Sequence, residues 1–215
     1  LRLVMTTGGE TEMRFSKAPH DDVTQKMAAF TADYLPKIGD LSGFIVCAKS
    51  PSCGMERVRL YDENGNRGRK EGVGLFTAAL LETFPWLPVE EDGRLHDPVL
   101  RENFVERVFA LHELNVMRKN GLTRRALLDF HSRYKLQLLA HHQAGYREIG
   151  PFVASLHEWD DLDAFFVAYR DKLMNILKKP ASRKNHTNVL MHIQGYFRNQ
   201  LNSRQRGELR DVILH

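Results

Sequence analysis

"FIVCAKSPSCGMERVRLYDENGNRGRKEGVGL", residues 44–75, holds both cysteines of the chain and carries most of its fold signals. It opens within "SGFIVCAK", a short apolar run bounded by turn residues, the form of a buried, parallel strand. Ser-Pro-Ser-Cys-Gly follows, where proline fixes the turn and glycine lets backbone or a ligand come close. "VRLYDENGNRG" reads as a second strand entering an Asn-Gly turn. "GVGLFTAALLETF" reads as a buried helix that stops before Pro85. Strand, turn and helix in this order indicate an α/β domain, and open α/β sheets place ligands at the carboxyl ends of their strands. Cys53 lies at such an end, and its residues leave three roles open: nucleophile, metal ligand or inert buried thiol. Cys47 falls inside the apolar run and reads as inert. Two thiols with five residues between them cannot complete a soft-metal or cluster site, which needs three or four.

Upstream, "LRLVM" and "EMRFS" flank the glycine-bearing turn "TTGGET" and read as a hairpin. "DDVTQKMAAFTADYLPKI" has apolar residues at helical spacing behind an aspartate cap. Gly72-x-Gly74 lacks the third glycine of a dinucleotide fingerprint, so it reads as tight packing with room for an anion at the following helix N-terminus.

From Asp97 onward the pattern is helical throughout. Asp97-Pro98 is a cap followed by proline at the first helical position, and Gly121 ends that helix. Thr123 caps the next, "RRALLDFHSRYKLQLLAHHQAG", and further helices are expected at 160–178, 186–202 and 204–214. The polar segment "PVEEDGRLHD" marks the boundary, giving an α/β domain at 1–92, with a mostly parallel sheet, and an all-α domain at 93–215. His131 and His141 fall on an apolar helix face and read as core histidines. The stripe Asn185, Asn188, His192 and Tyr196 either knits helices together or contacts RNA.

With 42% hydrophobic and 27% charged residues, the composition is that of a globular protein. No apolar run approaches the roughly 20 residues of a membrane span. Two cysteines cannot build a disulfide framework, which points to a reducing, cytoplasmic setting. The net charge of +4 is unevenly spread. Arg118, Lys119, Arg124, Arg125, Arg133, Lys135 and Arg147 stand against two acids, Asp129 and, at the very edge, Glu148. Residues 178–206 carry seven more cations, Arg183 and Lys184 among them, and no acid. Such clustering suits a polyanion.

Residues 41–92, through "LSGFIVCAKSPSCGMERV", "GVGLFTAALLE" and "LPVEEDGRL", resemble the second half of the thiouracil desulfidase (TudS) family domain. Residues 96–215, through "RENFVERVF", "DFHSRYKLQLLAHHQAGYREIG" and "RKNHTNVLMHIQGYF", resemble the helical YbgA-like domain often fused behind it. The resemblance implies a [4Fe–4S] cluster on three cysteines with one iron left open. Cys53 would be the third ligand, while the first two, and a glutamate beside the second, belong to motifs expected upstream of Leu1. Cys47 matches no ligand. Ser50 matches a serine used near the substrate, in proton transfer or in orienting the base. Fused members look like desulfidases of 4-thiouridine in tRNA, so the partner implied is tRNA or another thiolated nucleic acid or nucleobase. On that reading Arg118, Lys119, Arg124, Arg125, Arg133, Lys135, Arg183 and Lys184 contact its backbone. The start at Leu1 and the short C-terminal end read as those of a fragment, catalytically incomplete by itself. Two rivals stand beside this reading: an RNA- or protein-binding helical module on a degenerate α/β scaffold, and a thiol enzyme using Cys53 as nucleophile.

Overall fold

The computed structural model describes all of residues 1–215, which divide into two compact units, Leu1–Asn115 and Val116–His215. The first unit is α/β. Strands β1 (Arg2–Met5) and β2 (Thr11–Arg14) form the expected hairpin, and β4 (Val58–Tyr61) and β5 (Arg67–Gly72) form another. β4 lies parallel to β1, so the sheet order is β2-β1-β4-β5. The sheet is therefore mixed rather than mostly parallel. Its hairpin connections are too short for anything but antiparallel neighbours, and only the β1–β4 crossover is long enough to carry a helix. That helix is α1 (Thr24–Tyr34), and with α2 (Leu75–Thr83) it covers the sheet. Leu3, Met13, Val58 and Leu60 form the buried cluster, with Val23, Met27 and Leu75 packed against it.

Strand β3 (Phe44–Val46) pairs in parallel, as expected, but with a strand the sequence did not reveal, β6 (Val89–Glu91). The two make a separate sheet, and β3 is buried on one face only: Val46 is 3% exposed and Ile45 55%. Cys47 lies just past the end of β3 and is exposed, so it is not the buried thiol expected from the apolar run. The segment read as a boundary is thus a strand followed by a short 3-10 helix, Arg94–His96. The division between compact units falls further on, within α3 (Pro98–Lys119). Asp97 accepts from the backbone N–H groups of Val99 and Leu100, and Gly121 adopts φ +97° just beyond the helix, as its sequence signals require.

The second unit holds α4 (Arg124–His141), α5 (Gln143–Ala154), α6 (Leu162–Leu177), α7 (Arg183–Tyr196) and α8 (Ser203–Leu214). Thr123 caps α4 by accepting from Ala126 N–H at 3.1 Å. Helix α5 has no counterpart among the expected helices. His142 ends α4 and also caps α5, its ring accepting from Gly145 N–H at 3.2 Å, so two helices abut with no loop between them. Of the polar stripe on α7, Asn185 knits helices, donating to the Ala140 carbonyl at 2.8 Å. His141 is buried with Nδ1 2.6 Å from the Lys179 carbonyl, in keeping with a core histidine.

His131 is half-buried, with Nδ1 3.2 Å from the hydroxyl of buried Tyr169. Burial, with a smaller contribution from the Lys135 charge, holds its pKa below the ordinary 6.5. The folded state therefore favours the neutral ring, and the unfolded chain takes up a proton first as pH falls. The stability contributed by His131 should be complete above pH 6.5 and be lost as pH drops through the lowered folded value. Urea titrations of wild type and His131→Gln between pH 5 and 7 should show the flatter acid limb in the variant.

Candidate functional site

Beyond β3 the chain passes Lys49, at φ +61°, into the turn Ser50–Gly54. Ser50 organises it. Its Oγ accepts from the N–H groups of Ser52 (3.4 Å) and Cys53 (3.3 Å) and lies 3.0 Å from Ser52 Oγ. Ser52 Oγ in turn lies 3.2 Å from Cys53 Sγ, so hydroxyl, hydroxyl and thiol form a chain along one side of the turn. Cys53 is half-buried and free of any disulfide.

The turn is docked on the N-terminus of α2. Four N–H groups there, those of Gly74, Leu75, Phe76 and Thr77, donate to the carbonyls of Gly54, Pro51 and Ser52. These donors would otherwise lack partners within the helix. The anion site considered for Gly72-x-Gly74 is therefore filled by backbone carbonyls, and only its packing role survives. A side chain at Gly74 would put Cβ 2.4 Å from the Ser52 carbonyl, and one at Gly54 would meet Val58 at the same distance. Thr77, fully buried, donates its hydroxyl to the Cys53 carbonyl at 2.7 Å.

From the other side, β6 and the residue after it hold the turn. The buried carboxylate of Glu91 accepts from Met55 N–H at 2.9 Å and Glu56 N–H at 3.3 Å. Asp92 accepts from Ala48 N–H at 2.9 Å and Gly93 N–H at 2.7 Å. These two donors, Ala48 foremost, hold the Asp92 carboxyl below the usual carboxylate range. Glu90 accepts from Arg94 Nε at 2.6 Å, and Arg94 also reaches Glu56 at 2.6 Å. Sequence reasoning missed all these acids, because "VEEDG" has the composition of a linker.

A cavity of about 670 Å³ opens beside the turn, lined by Ala48, Lys49, Arg57, Arg59, Lys70, Glu91, Gly93 and Arg94. A smaller one of about 200 Å³ shares Lys49 and Arg59 with it and is bordered also by Arg2 and Pro51. These cations too were passed over. The usable signal was the density of Lys and Arg between residues 49 and 70, which lacks the helical spacing that drew attention to residues 118–147 and 178–206.

Of the sequence-predicted site residues, Ser50 and Cys53 are thus brought together. A [4Fe–4S] cluster needs several thiolates. The Cys53 thiol is placed as one ligand could be, but no group of three His, Cys, Asp or Glu side chains assembles within these 215 residues.

The cations picked for RNA are scattered over the second unit and the end of α3, and their surroundings differ. Arg118 pairs with Asp163 at 2.8 Å and lies over the Phe166 ring. Arg124 donates to the Trp159 carbonyl at 2.6 Å, and Arg183 reaches the His215 carbonyl at 3.4 Å. Arg125 faces Asp129 across 3.7 Å with its side chain 92% exposed. Arg133 lies over Phe130, Lys135 is half-buried beside the Tyr196 ring, and Lys119 and Lys184 are exposed.

Comparison with known proteins divides along the chain. Residues 1–92 match the family model described as 2-thiouracil desulfurase. The α/β unit is thus similar to a desulfurase domain. Residues 135–215 match a second model, described as "Protein of unknown function (DUF1722)". A curated relative, the uncharacterized protein YbgA of Escherichia coli (strain K12), is 53% identical over 107 residues. That match takes in 50% of this chain and 63% of the relative's own length. No solved structure matches the chain. The first match supports a desulfuration-related activity, carried by the unit that holds the Ser50–Cys53 turn. No helix is long and apolar enough to cross a membrane.

Proposed function

We propose that the protein takes part in removing sulfur from a thiolated uracil base, with 4-thiouridine in tRNA as substrate. The observation that carries this reading is the placement of Ser50 and Cys53. They share one hydrogen-bonded turn, anchored by Thr77, Glu91 and Asp92, inside the region similar to 2-thiouracil desulfurase. The overall change replaces a thiocarbonyl by a carbonyl: water adds its oxygen to the carbon, the carbon–sulfur bond breaks, and sulfur leaves as sulfide. No electrons are gained or lost. A cluster with one iron free of protein ligands would supply a soft Lewis acid for the departing sulfur.

The chain's own residues hold and orient. Ser50 Oγ already accepts two backbone N–H groups, so what it has left to offer is its proton, shared with Ser52 Oγ at 3.0 Å until the base or the leaving sulfur takes it. Cys53 is the cluster ligand contributed here, its position fixed through its carbonyl by Thr77. The basic helices meet the RNA backbone, and a base within folded RNA has to leave its stack to be reached. The setting consistent with this chemistry is cytoplasmic.

The test uses the full-length parent, reconstituted with iron and sulfide without oxygen and given tRNA containing 4-thiouridine. Loss of the near-ultraviolet absorption of 4-thiouridine is expected. Because groups merely supporting metal ligands are worth about 10–100-fold, Cys53→Ala should cost more than about 100-fold in rate. Activity that survives this change, or that needs no iron, would sink the reading, and tRNA binding without turnover would leave a binding module. Arg125→Gln combined with Lys184→Gln removes two exposed cations from the second unit. It should weaken tRNA binding and lower the slope of log affinity against log salt by about 2.

A further inference from the structure

We infer that the outer face of α3 is a dimerisation surface, on which the same face of a second copy of this chain packs antiparallel about a two-fold axis. The inference stands apart from the desulfuration reading and uses none of the residues at the Ser50–Cys53 turn.

Helix α3 presents two faces. Asn103, Phe104, Arg107, Ala110, Leu111 and Leu114 form the buried one. The opposite side carries a second stripe, Glu102, Val105, Phe109, His112, Val116 and Lys119, every member of it exposed. Its intervals alternate between three and four residues, a period of about 3.5, by which one helix keeps a continuous seam toward another. A helix of a globular protein needs one apolar stripe for its own core, and the buried face already supplies it. Phe109 is 66% exposed in the middle of the outer stripe, with Val105 at 42% and Val116 at 39% on either side.

The order of residues along the stripe says what covers it. Turned end for end and laid on itself, with the axis level with the midpoint between Ala110 and Leu111, the stripe matches in layers. Glu102 meets Lys119 of the second copy, Val105 meets its Val116, and Phe109 meets its His112. Each layer occurs twice, as a two-fold interface requires. Opposite charges close both ends and apolar side chains fill the middle. A parallel arrangement would set Glu102 against Glu102 and Lys119 against Lys119, so charge selects the antiparallel one. Phe109 is the anchor, because a central aromatic contributes the largest share of such a contact. Glu106 and Glu113 flank the seam, and both are engaged within the chain. From Glu102 to Lys119 the seam runs about 26 Å. One helix pair of that length falls at the small end of specific interfaces, below about 1,200 Å², so the dimer is reversible, with Kd on the order of 10 µM.

Sedimentation velocity on the 215-residue chain tests this, under reducing conditions because Cys47 is exposed. The weight-average coefficient should climb from monomer toward dimer between about 1 and 100 µM. Phe109→Lys should raise Kd at least about tenfold, the cost of losing a central anchor. Most of the Phe109 side chain lies outside the core, so the variant should melt with wild type, which separates lost pairing from unfolding. Glu102→Lys and Lys119→Glu should each weaken association by setting like charges opposite. Both together should restore Kd to within about threefold of wild type, since the opposed pair is then merely reversed. The two charges also complement the helix dipole. That role predicts no recovery in the doubled variant, so recovery belongs to pairing alone.

A single monomer coefficient across that range overturns the inference and leaves the face to a different partner. Equal association of wild type and Phe109→Lys overturns it too, by placing the contact elsewhere on the molecule. If the double reversal fails to recover what the single ones lose, the antiparallel pairing is wrong.

Discussion

Gly74→Ala is expected to lower stability by about 3 kcal/mol, the upper end for overpacking a well-filled site. An alanine Cβ would sit 2.4 Å from both the carbon and oxygen of the Ser52 carbonyl and 2.6 Å from Cys53 N. All three are backbone atoms and cannot swing aside. The turn has to lift from α2, taking with it the hydrogen bonds that Gly74, Leu75, Phe76 and Thr77 donate to it. Desulfuration in the reconstituted parent should fall along with stability, because Ser50 and Cys53 ride on that turn. Gly207→Ala is the counterpart with opposite sign. Gly207 lies within α8 with nothing near a built Cβ, so alanine there should add about 0.5–1 kcal/mol through helix propensity alone. Equal effects of the two substitutions in urea unfolding would show that the Gly74 contact is not tight.

In the helical unit, Phe165→Ala should cost about 4 kcal/mol. Phe165 is 1% exposed and sits at the centre of an aromatic stack. Its ring lies parallel to Phe152 at 4.8 Å and to Tyr169 at 6.0 Å, and it meets the edge of Trp159 at 5.5 Å. Removing it deletes a large buried surface and opens a hollow that three rings, fixed on α5, α6 and the segment between them, cannot close. Trp159 reports directly on the loss. Its emission should shift toward that of a solvated indole at denaturant concentrations where wild type is still folded. A loss under about 1.5 kcal/mol, the range of tolerated core swaps, would mean that the stack is loosely packed.

The parts of this fold that were legible in the sequence are those whose cause is local. Asp97-Pro98, Gly121 and Thr123 each satisfy or end a helix within three or four residues of themselves, and all three behave as their chemistry dictates. The Ser-Pro-Ser-Cys-Gly turn was legible for the same reason, since Ser50 bonds only to residues two to four positions on. The rest was hidden by distance along the chain. Strand β6 is three residues long, two of them glutamate, and is a strand only because β3 lies beside it 45 residues upstream. Helix α5 carries Pro151 and is separated from α4 by a single residue, a histidine that serves as both terminus and cap. Gly74 looked like an anion loop because nothing local discloses that the Ser50–Gly54 turn already occupies that helix end. The cavity cations are spread from Lys49 to Arg94 and converge only through the folding of β3, β4, β5 and β6 around them.

The anchoring of the Ser50–Gly54 turn also shapes how the molecule comes to be folded. Its ties reach 24 residues to Thr77, 36 from Met55 to Glu91 and 44 from Ala48 to Asp92. Each closes a loop whose entropy is lost before the contact can repay it. The turn's own hydrogen bonds are local, but its placement between α2 and β6 needs those long-range ties to close. The anchored site belongs to the folded state alone, and a ligand that needs it intact will select the finished native state.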